Sequence, residues 1–376
     1  PLVDPAGIWE RQAAVEEFFA QGPLRRQLRD AFRGMTDLER LAGKLGTGRV
    51  GPRDFLGLAR SLSHLPAFRE LGSMVEAPLL RGLTGDMDPL GDIQDLLDAS
   101  ISPDTPANLQ EGGVIREGYD PELDDLRSAR DGARDFIASL QARERERTGI
   151  GSLKVGFNKV FGYYLEVTKA NLDRVPEEYV RKQTLANAER YFTPELKEWE
   201  EKVFGAEDRI QSLEAEIFGR IRGQVASQVH RIQETAGRLA RLDVLSTLAE
   251  VAQDREYVRP EVHSGFDLEI VAGRHPVVET MMPREEFIPN DLRLDDSGRI
   301  VILTGPNMAG KSTVLRQIGL IQLLSQMGAF VPASHARVPV CDRIFTRVGA
   351  SDSLVRGQST FMVEMNETSA IVHGAT

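Results

Sequence analysis

The stretch Gly305-Pro-Asn-Met-Ala-Gly310-Lys311-Ser312-Thr313 combines the residue types needed to hold a polyphosphate. Glycines let the backbone turn successive N–H groups toward one point, a lysine brings positive charge to the outer phosphates, and a serine hydroxyl can ligate Mg²⁺. The spacing fits G-x-x-x-x-G-K-[ST], and a helix opening directly after such a loop adds the positive end of its dipole. A glycine turn before an ordinary helix can match the same pattern by chance, so the flanking elements decide. The apolar run Ile300-Val-Ile-Leu303 predicts a strand entering the loop, and Val314 to Leu324 predicts a helix leaving it.

Around this unit, from about residue 258 onward, the periodicity is α/β. Phe266 to Ile270 alternates as a strand, Gly273-Arg-His-Pro-Val-Val-Glu279 reads as a turn and strand, and Arg343 to Val348 reads as a further strand. Ser359 to His373 reads as a helix opened by hydroxyl caps, and its N-terminus is where Ser359 could meet an anion.

The preceding residues are helical. Asp4-Pro5 supplies an N-cap and first-turn proline, Thr36-Asp-Leu-Glu39 reads as a capping box, and Gly51-Pro52 restarts a helix. Residues 86 to 120 read as loops around a short helix. Pro121 opens a longer helix that ends in Arg143-Glu-Arg-Glu-Arg147, read as a solvated charged face. The period then changes to two: Leu153, Val155 and Phe157, followed by Gly162 to Val167, predict a β-hairpin. Lys154, Lys159, Lys169, Arg174, Arg181, Lys182 and Arg190 make residues 141 to 190 a mildly basic island, suited to phosphate contact or to blunting strand edges. Thr193-Pro194-Glu195 caps a helical pattern running to Leu242. Unbroken, it would be a helix of about sixty residues, on the order of 90 Å long, with Gly205, Gly219, Gly223 and Gly237 as candidate kinks. The geometry implied is an outgoing arm, a β-tip and a returning arm.

Composition bounds the rest. The formal charge of −11 excludes a protein that coats nucleic acid by bulk electrostatics, so any such contact must be local. One cysteine, Cys341, rules out an internal disulfide and points to a reducing compartment. The six histidines are scattered without zinc-ligand spacing, and no apolar run reaches the length of a membrane span. With Pro1 at one end and Thr376 inside a helical pattern at the other, the sequence is expected to be a piece of something longer.

In combination, Gly273 to Glu279, Thr304 to Thr313, Ile344 to Ala350 and Ser359 to Met365 closely resemble the MutS family of DNA mismatch-repair ATPases. Leu153 to Asn158, Gly162-Tyr-Tyr164 and Arg190 through Glu198 look like that family's clamp and lever. The resemblance implies a multidomain fold: an all-α core with long lever helices, a small β-rich clamp, and an α/β P-loop, ATP-binding-cassette-like ATPase domain incomplete at its C-terminus. The implied boundaries are 1–134 for core and outgoing lever, 135–195 for the clamp, 196–257 for the returning lever, and 258–376 for the first part of the ATPase domain.

The resemblance also implies roles. ATP or ADP with Mg²⁺ is the expected cofactor. Phe287 would stack on adenine with Ile288 beside it; Gly305, Pro306, Asn307, Met308, Ala309, Gly310, Lys311, Ser312 and Thr313 would hold phosphates, with Ser312 on the metal. Ser359 and Met362 would face the nucleotide of the opposite subunit of a homodimer. Arg181, Lys182, Thr184 and Asn187 would meet the DNA backbone, while Ala186 stands where some relatives carry a lysine. Mismatched double-stranded DNA and a MutL-type repair protein are the expected partners, with no membrane contact and a cytoplasmic, bacterial-type, nucleoid-associated location.

Two departures from the pattern matter. The mismatch-reading domain and its connector are not found. After residue 313 no apolar strand closes on an Asp-Glu pair, so the carboxylates that position Mg²⁺ and orient water are missing and little or no turnover is expected. Central strands that would pair with the P-loop strand are missing as well. The competing readings are a chromosome-organising ATPase with a coiled arm, which typically carries its P-loop near the N-terminus, and a non-enzymatic DNA-holding scaffold, against which Lys311-Ser312 argues.

Overall fold

The computed structural model describes residues 1–158, 160–283, 286–306, 310–347 and 360–374. In chain order its helices are α1 (Pro5–Ala20), α2 (Gly22–Phe32), α3 (Leu38–Gly46), α4 (Pro52–Leu62), α5 (Leu65–Leu71), α6 (Pro78–Gly85), α7 (Gly91–Ser100), α8 (Pro121–Thr148), α9 (Pro194–Ser227), α10 (Val229–Arg255), α11 (Lys311–Met327) and α12 (Thr360–Gly374). The strands are β1 (Lys154–Asn158), β2 (Gly162–Thr168), β3 (Val180–Thr184), β4 (Ala188–Phe192), β5 (Glu261–His263), β6 (Leu268–Gly273), β7 (Asn290–Leu294) and β8 (His335–Pro339). The fold is thus mixed, helical over most of its length with two four-stranded sheets among the described residues. No helix among them is long and apolar enough to cross a membrane.

The chain forms two compact units, one of residues 1–35, 64–89 and 234–376, the other of 36–63 and 90–233. In the second unit α8 and α9 run antiparallel, as their cross-contacts descend in register: Glu122 with Arg209, Arg134 with Glu207, Phe136 stacked on Trp199, Arg143 with Glu195. Thr193 caps α9 as expected, accepting from Leu196 N–H, and Asp120 caps α8, accepting from Leu123 N–H. At the far end of this stalk sits the sheet β1-β2-β4-β3, all antiparallel, with Leu153, Leu165, Val167, Tyr179 and Tyr191 packed on Leu140 and Leu196. Toward the stalk's base, Glu214 of α9 is 1 % exposed; it accepts from Arg127 of α8 at 2.5 Å and from Gly113 N–H at 2.9 Å.

In the first unit the sheet β5-β8-β6-β7 packs with α11 through Ile270, Ile321, Val331 and Val338. Its β5 edge is covered by α1: Trp9 Nε1 donates to Val262 O and Gln12 Nε2 to Pro260 O, each at 3.0 Å.

Several expectations are corrected. Ile300-Val-Ile-Leu303 is not a strand, and Ile300 and Ile302 are each 84 % exposed. Four consecutive apolar residues suit a strand buried on both faces, which needs neighbours on both sides; no described strand lies beside this run. Arg343 to Arg347 is likewise irregular, with Ile344 and Phe345 exposed, and Val348 lies outside the described residues. Gly273 to Glu279 turns into a short 3₁₀ turn at Val278–Thr280 instead of a strand. The cap of α3 is Asp37, which accepts from Arg40 N–H, because the Thr36 hydroxyl is engaged with Ser61 and Gly57. The long helix breaks at Gln228, not at a glycine; there Arg231 makes a two-pronged ion pair with Asp92 that sets the start of α10. Glu144, inside the run read as a solvated face, is buried.

Glu214→Ala would leave the Arg127 guanidinium and Gly113 N–H without their partner. A loss of about 3–5 kcal/mol is expected, as for other broken buried ion pairs, measured by urea unfolding; a change under about 1 kcal/mol would show the pair to be surface-like.

Candidate functional site

Gly310 leads directly into α11, as the spacing of the 305–313 stretch predicts. Gly310 caps α11 at φ 82° and Gly305 sits at φ 151°, both in the region that favours glycine. No side chain caps the helix, so the first-turn N–H groups of Lys311, Ser312 and Thr313 carry the dipole's positive end without an internal carboxylate or hydroxyl against them. The Lys311 ammonium reaches back across the loop and donates to Gly305 O at 2.5 Å and Pro306 O at 2.9 Å. Ser312 is exposed. This donor set, three helix N–H groups, one ammonium and one hydroxyl, fits a polyphosphate with its metal. Asn307, Met308 and Ala309 lie outside the described residues.

The turn before the loop is held by a buried network that the sequence reading did not identify. Arg274 Nε donates to Glu279 at 2.8 Å, its Nη2 to the α10 terminal carbonyls of Arg255 and Glu256, and Tyr257 donates to the other oxygen of Glu279 at 2.8 Å. Burial holds the Tyr257 phenol above its usual range, so it stays a donor. Burial likewise pushes His275 below the usual imidazole range, and its neutral Nδ1 accepts from Val277 and Val278 N–H. Gly273 lies so close to Gln317 of α11 that a side chain there would collide. The arginine and glutamate five residues apart were visible in sequence; that they close on each other follows from the 3₁₀ turn.

Phe287 is only 9 % exposed, whereas Ile288 beside it is 81 % exposed. A stacking platform needs an open ring face, so in this conformation the Phe287 ring packs, and adenine stacking would require it to be uncovered. Met362 is exposed on α12, and Ser359 lies outside the described residues.

The basic island divides into engaged and available groups. Arg190 is engaged: it donates to Glu166 and Gln183 and lies 4.1 Å over the Tyr164 ring. Arg181 on the edge strand β3 is exposed, with only a 3.7 Å contact to Glu189. Lys182 stands over Phe192, and Thr184 and Asn187 are exposed at the β3–β4 hairpin. Lys159 lies outside the described residues. Edge strand and hairpin therefore bring Arg181, Lys182, Thr184 and Asn187 to one margin of the sheet.

The β-tip of the stalk and the 305–313 stretch of the other unit both fall within segments that match known families. The family model for MutS family domain IV matches residues 118–209, and that for MutS domain V matches residues 301–376. Over its whole length the chain is similar to members of the MutS family. It is 50 % identical over 378 residues to the DNA mismatch repair protein MutS of Pelotomaculum thermopropionicum, covering 100 % of this chain and 44 % of that protein. The proteins of the same name from Halothermothrix orenii, 51 % identical with 42 % covered, and Salinibacter ruber, 50 % identical with 42 % covered, match over the whole chain too. The chain spans less than half the length of these relatives.

Because its ring is covered, Phe287→Ala should lower the thermal midpoint of the nucleotide-free protein in scanning calorimetry, by the several degrees that a loss of roughly 3 kcal/mol implies. An unchanged midpoint would return the ring to a stacking role.

Proposed function

We propose that this chain is the central part of an ATP-dependent DNA mismatch-repair protein, in which the sheet at the stalk tip grips duplex DNA and the loop at 305–313 binds nucleotide. The observation that carries this reading is the alignment of the whole chain, at about half identity, with proteins named for DNA mismatch repair. The domain boundaries at 134, 195 and 257 belong to the proposal, as do the homodimer, the in-trans roles of Ser359 and Met362, and the coupling of nucleotide state to clamp opening.

Grip would be electrostatic. Arg181 and Lys182 offer charge, Thr184 and Asn187 offer hydrogen bonds, and none is arranged to read base edges. On a chain of charge −11 such contact is local and salt-sensitive. At the loop, Lys311 would exchange its two carbonyl contacts for phosphate oxygens, the α11 N–H groups would hold the anion, and Ser312 would ligate Mg²⁺. The bound nucleotide and metal would supply the phosphoryl chemistry. The sequence of residues 314–376 holds no adjacent Asp-Glu pair, so the 376-residue chain should bind nucleotide with little turnover.

Two experiments test the reading. Replacing Arg181 and Lys182 with alanine should weaken duplex binding equally for all sequences and lower the salt slope by about one to two units; altered sequence preference at an unchanged slope would refute a phosphate grip. In an ATP-binding assay, Lys311→Met should abolish affinity, while a steady-state assay of the unmodified chain should find almost no hydrolysis. Robust turnover that Lys311→Met removes would mean that the catalytic carboxylates lie elsewhere in these residues.

A further inference from the structure

We propose that Glu144, through Tyr179, is a positioning residue that fixes the N-terminal end of β3 and so holds Arg181 and Lys182 in place to meet DNA phosphates. The proposal rests on the DNA-grip reading and deepens it.

Among the described residues β3 is an edge strand, hydrogen-bonded only to β4, and its register with β4 shifts between Arg181 and Gln183. An edge strand with a bulge is weakly determined unless something else anchors it. At its C-terminal end the anchor is the hairpin, where Leu185 N–H donates to Ala188 O. At its N-terminal end Val180 pairs with Phe192, the Tyr179 ring packs in the tip core, and a side-chain hydrogen bond fixes the ring's outer end. Tyr179, the residue before β3, sends its hydroxyl to Glu144 Oε2 at 2.8 Å. Arg147 donates to that same oxygen through Nε at 2.9 Å and Nη2 at 2.7 Å, and through Nη1 to Glu178 at 2.6 Å. One buried carboxylate on the last turns of α8 thus gathers both residues that lead into β3.

Glu144 is 4 % exposed. A carboxylate so placed is strongly disfavoured unless its charge and lone pairs are met, so removing any one partner is costly and the cluster is rigid. Glu144 stands four residues beyond Leu140 and seven beyond Ile137, on the face α8 turns toward the sheet, where an apolar residue would fill the space but could not hold a hydroxyl. Burial and the adjoining carboxylate both keep the Tyr179 phenol protonated, consistent with a permanent donor.

Charge alone predicts the opposite sign. Removing a carboxylate near a DNA-binding margin leaves the region more basic, which should tighten binding to a polyanion. If Glu144 acts by position, its removal releases Arg181 and Lys182 and weakens binding.

The test uses the 376-residue chain and a fluorescent random-sequence duplex, titrated over a range of salt. The variants are Glu144→Gln and the charge-neutral Tyr179→Phe, each also combined with Arg181→Ala/Lys182→Ala. Each single variant should lower the salt slope by about one to two units, as the alanine pair does, and should add nothing when combined with that pair, because both act through the same contacts. Thermal midpoints and sheet circular dichroism are recorded for every variant, and Tyr179→Phe serves if Glu144→Gln does not fold. Tighter binding by Glu144→Gln with no effect of Tyr179→Phe, or losses that add to those of the alanine pair, would overturn the positioning role. If the alanine pair itself leaves the slope unchanged, the DNA-grip reading fails first, and that result is distinct from either.

Discussion

The stalk depends on an ion pair whose carboxylate is almost wholly buried. Taking Glu214 out of solvent is strongly unfavourable by itself, and only the simultaneous approach of Arg127 and the Gly113 N–H offsets it. Those partners come from α8 and from the loop that precedes it, so the charge is satisfied in one register of α8 against α9. Apolar side chains at three-and-four spacing tolerate a slide of one turn; a buried carboxylate with fixed partners does not. The surface pairs higher on the stalk, Arg134 with Glu207 and Arg143 with Glu195, then fall into line as consequences of that register and add little on their own. The tip sheet inherits its placement from the same constraint, because its chain enters from the end of α8 and leaves into α9.

Local rules of the sequence survived wherever the deciding interaction was itself local. The caps at Asp4 and Thr193 form as read, and the β1–β2 hairpin closes with Asn158 opposite Gly162. The phosphate loop and the start of α11 were legible for the same reason, since glycine conformations and helix dipole are short-range properties. Misreadings occurred where distant residues decide. Thr36 lost its cap role to Ser61, and the long helix yielded at Gln228 to an ion pair with Asp92. The β3–β4 pair, rich in polar and charged residues, has no clear apolar alternation to announce it. Glu144 hid inside a charge run, although its spacing from Ile137 and Leu140 placed it on the inward face.

The first unit shows a different balance. In its loop Gly305 and Gly310 take positive φ and Lys311 donates back to Gly305 O and Pro306 O, while the turn at Gly273–Glu279 is tied to the end of α10 by Arg274, Glu279 and Tyr257. An arginine at a helix C-terminus lies where the dipole favours it, and the buried glutamate that fixes it is itself held by a phenol. A motif that reads as a strand in sequence is thereby a brace between a helix end and a loop. Its meaning emerges only when the 3₁₀ turn brings positions five apart into contact.

The side chains of Trp9, on the β5 carbonyl of Val262, and of Gln12, on the Pro260 carbonyl just before β5, give the second sheet a polarity of growth. Indole and amide act there as a stopper, making the edge useless as a template for a foreign strand and removing one common route to fibrillar aggregation. Among the described residues β7 pairs only with β6, so backbone extension of this sheet is one-directional, away from α1. A mutation at Trp9 or Gln12 would therefore cost more than a contact: it would turn a sheet with one sticky side into a sheet with two, able to chain copies together end over end.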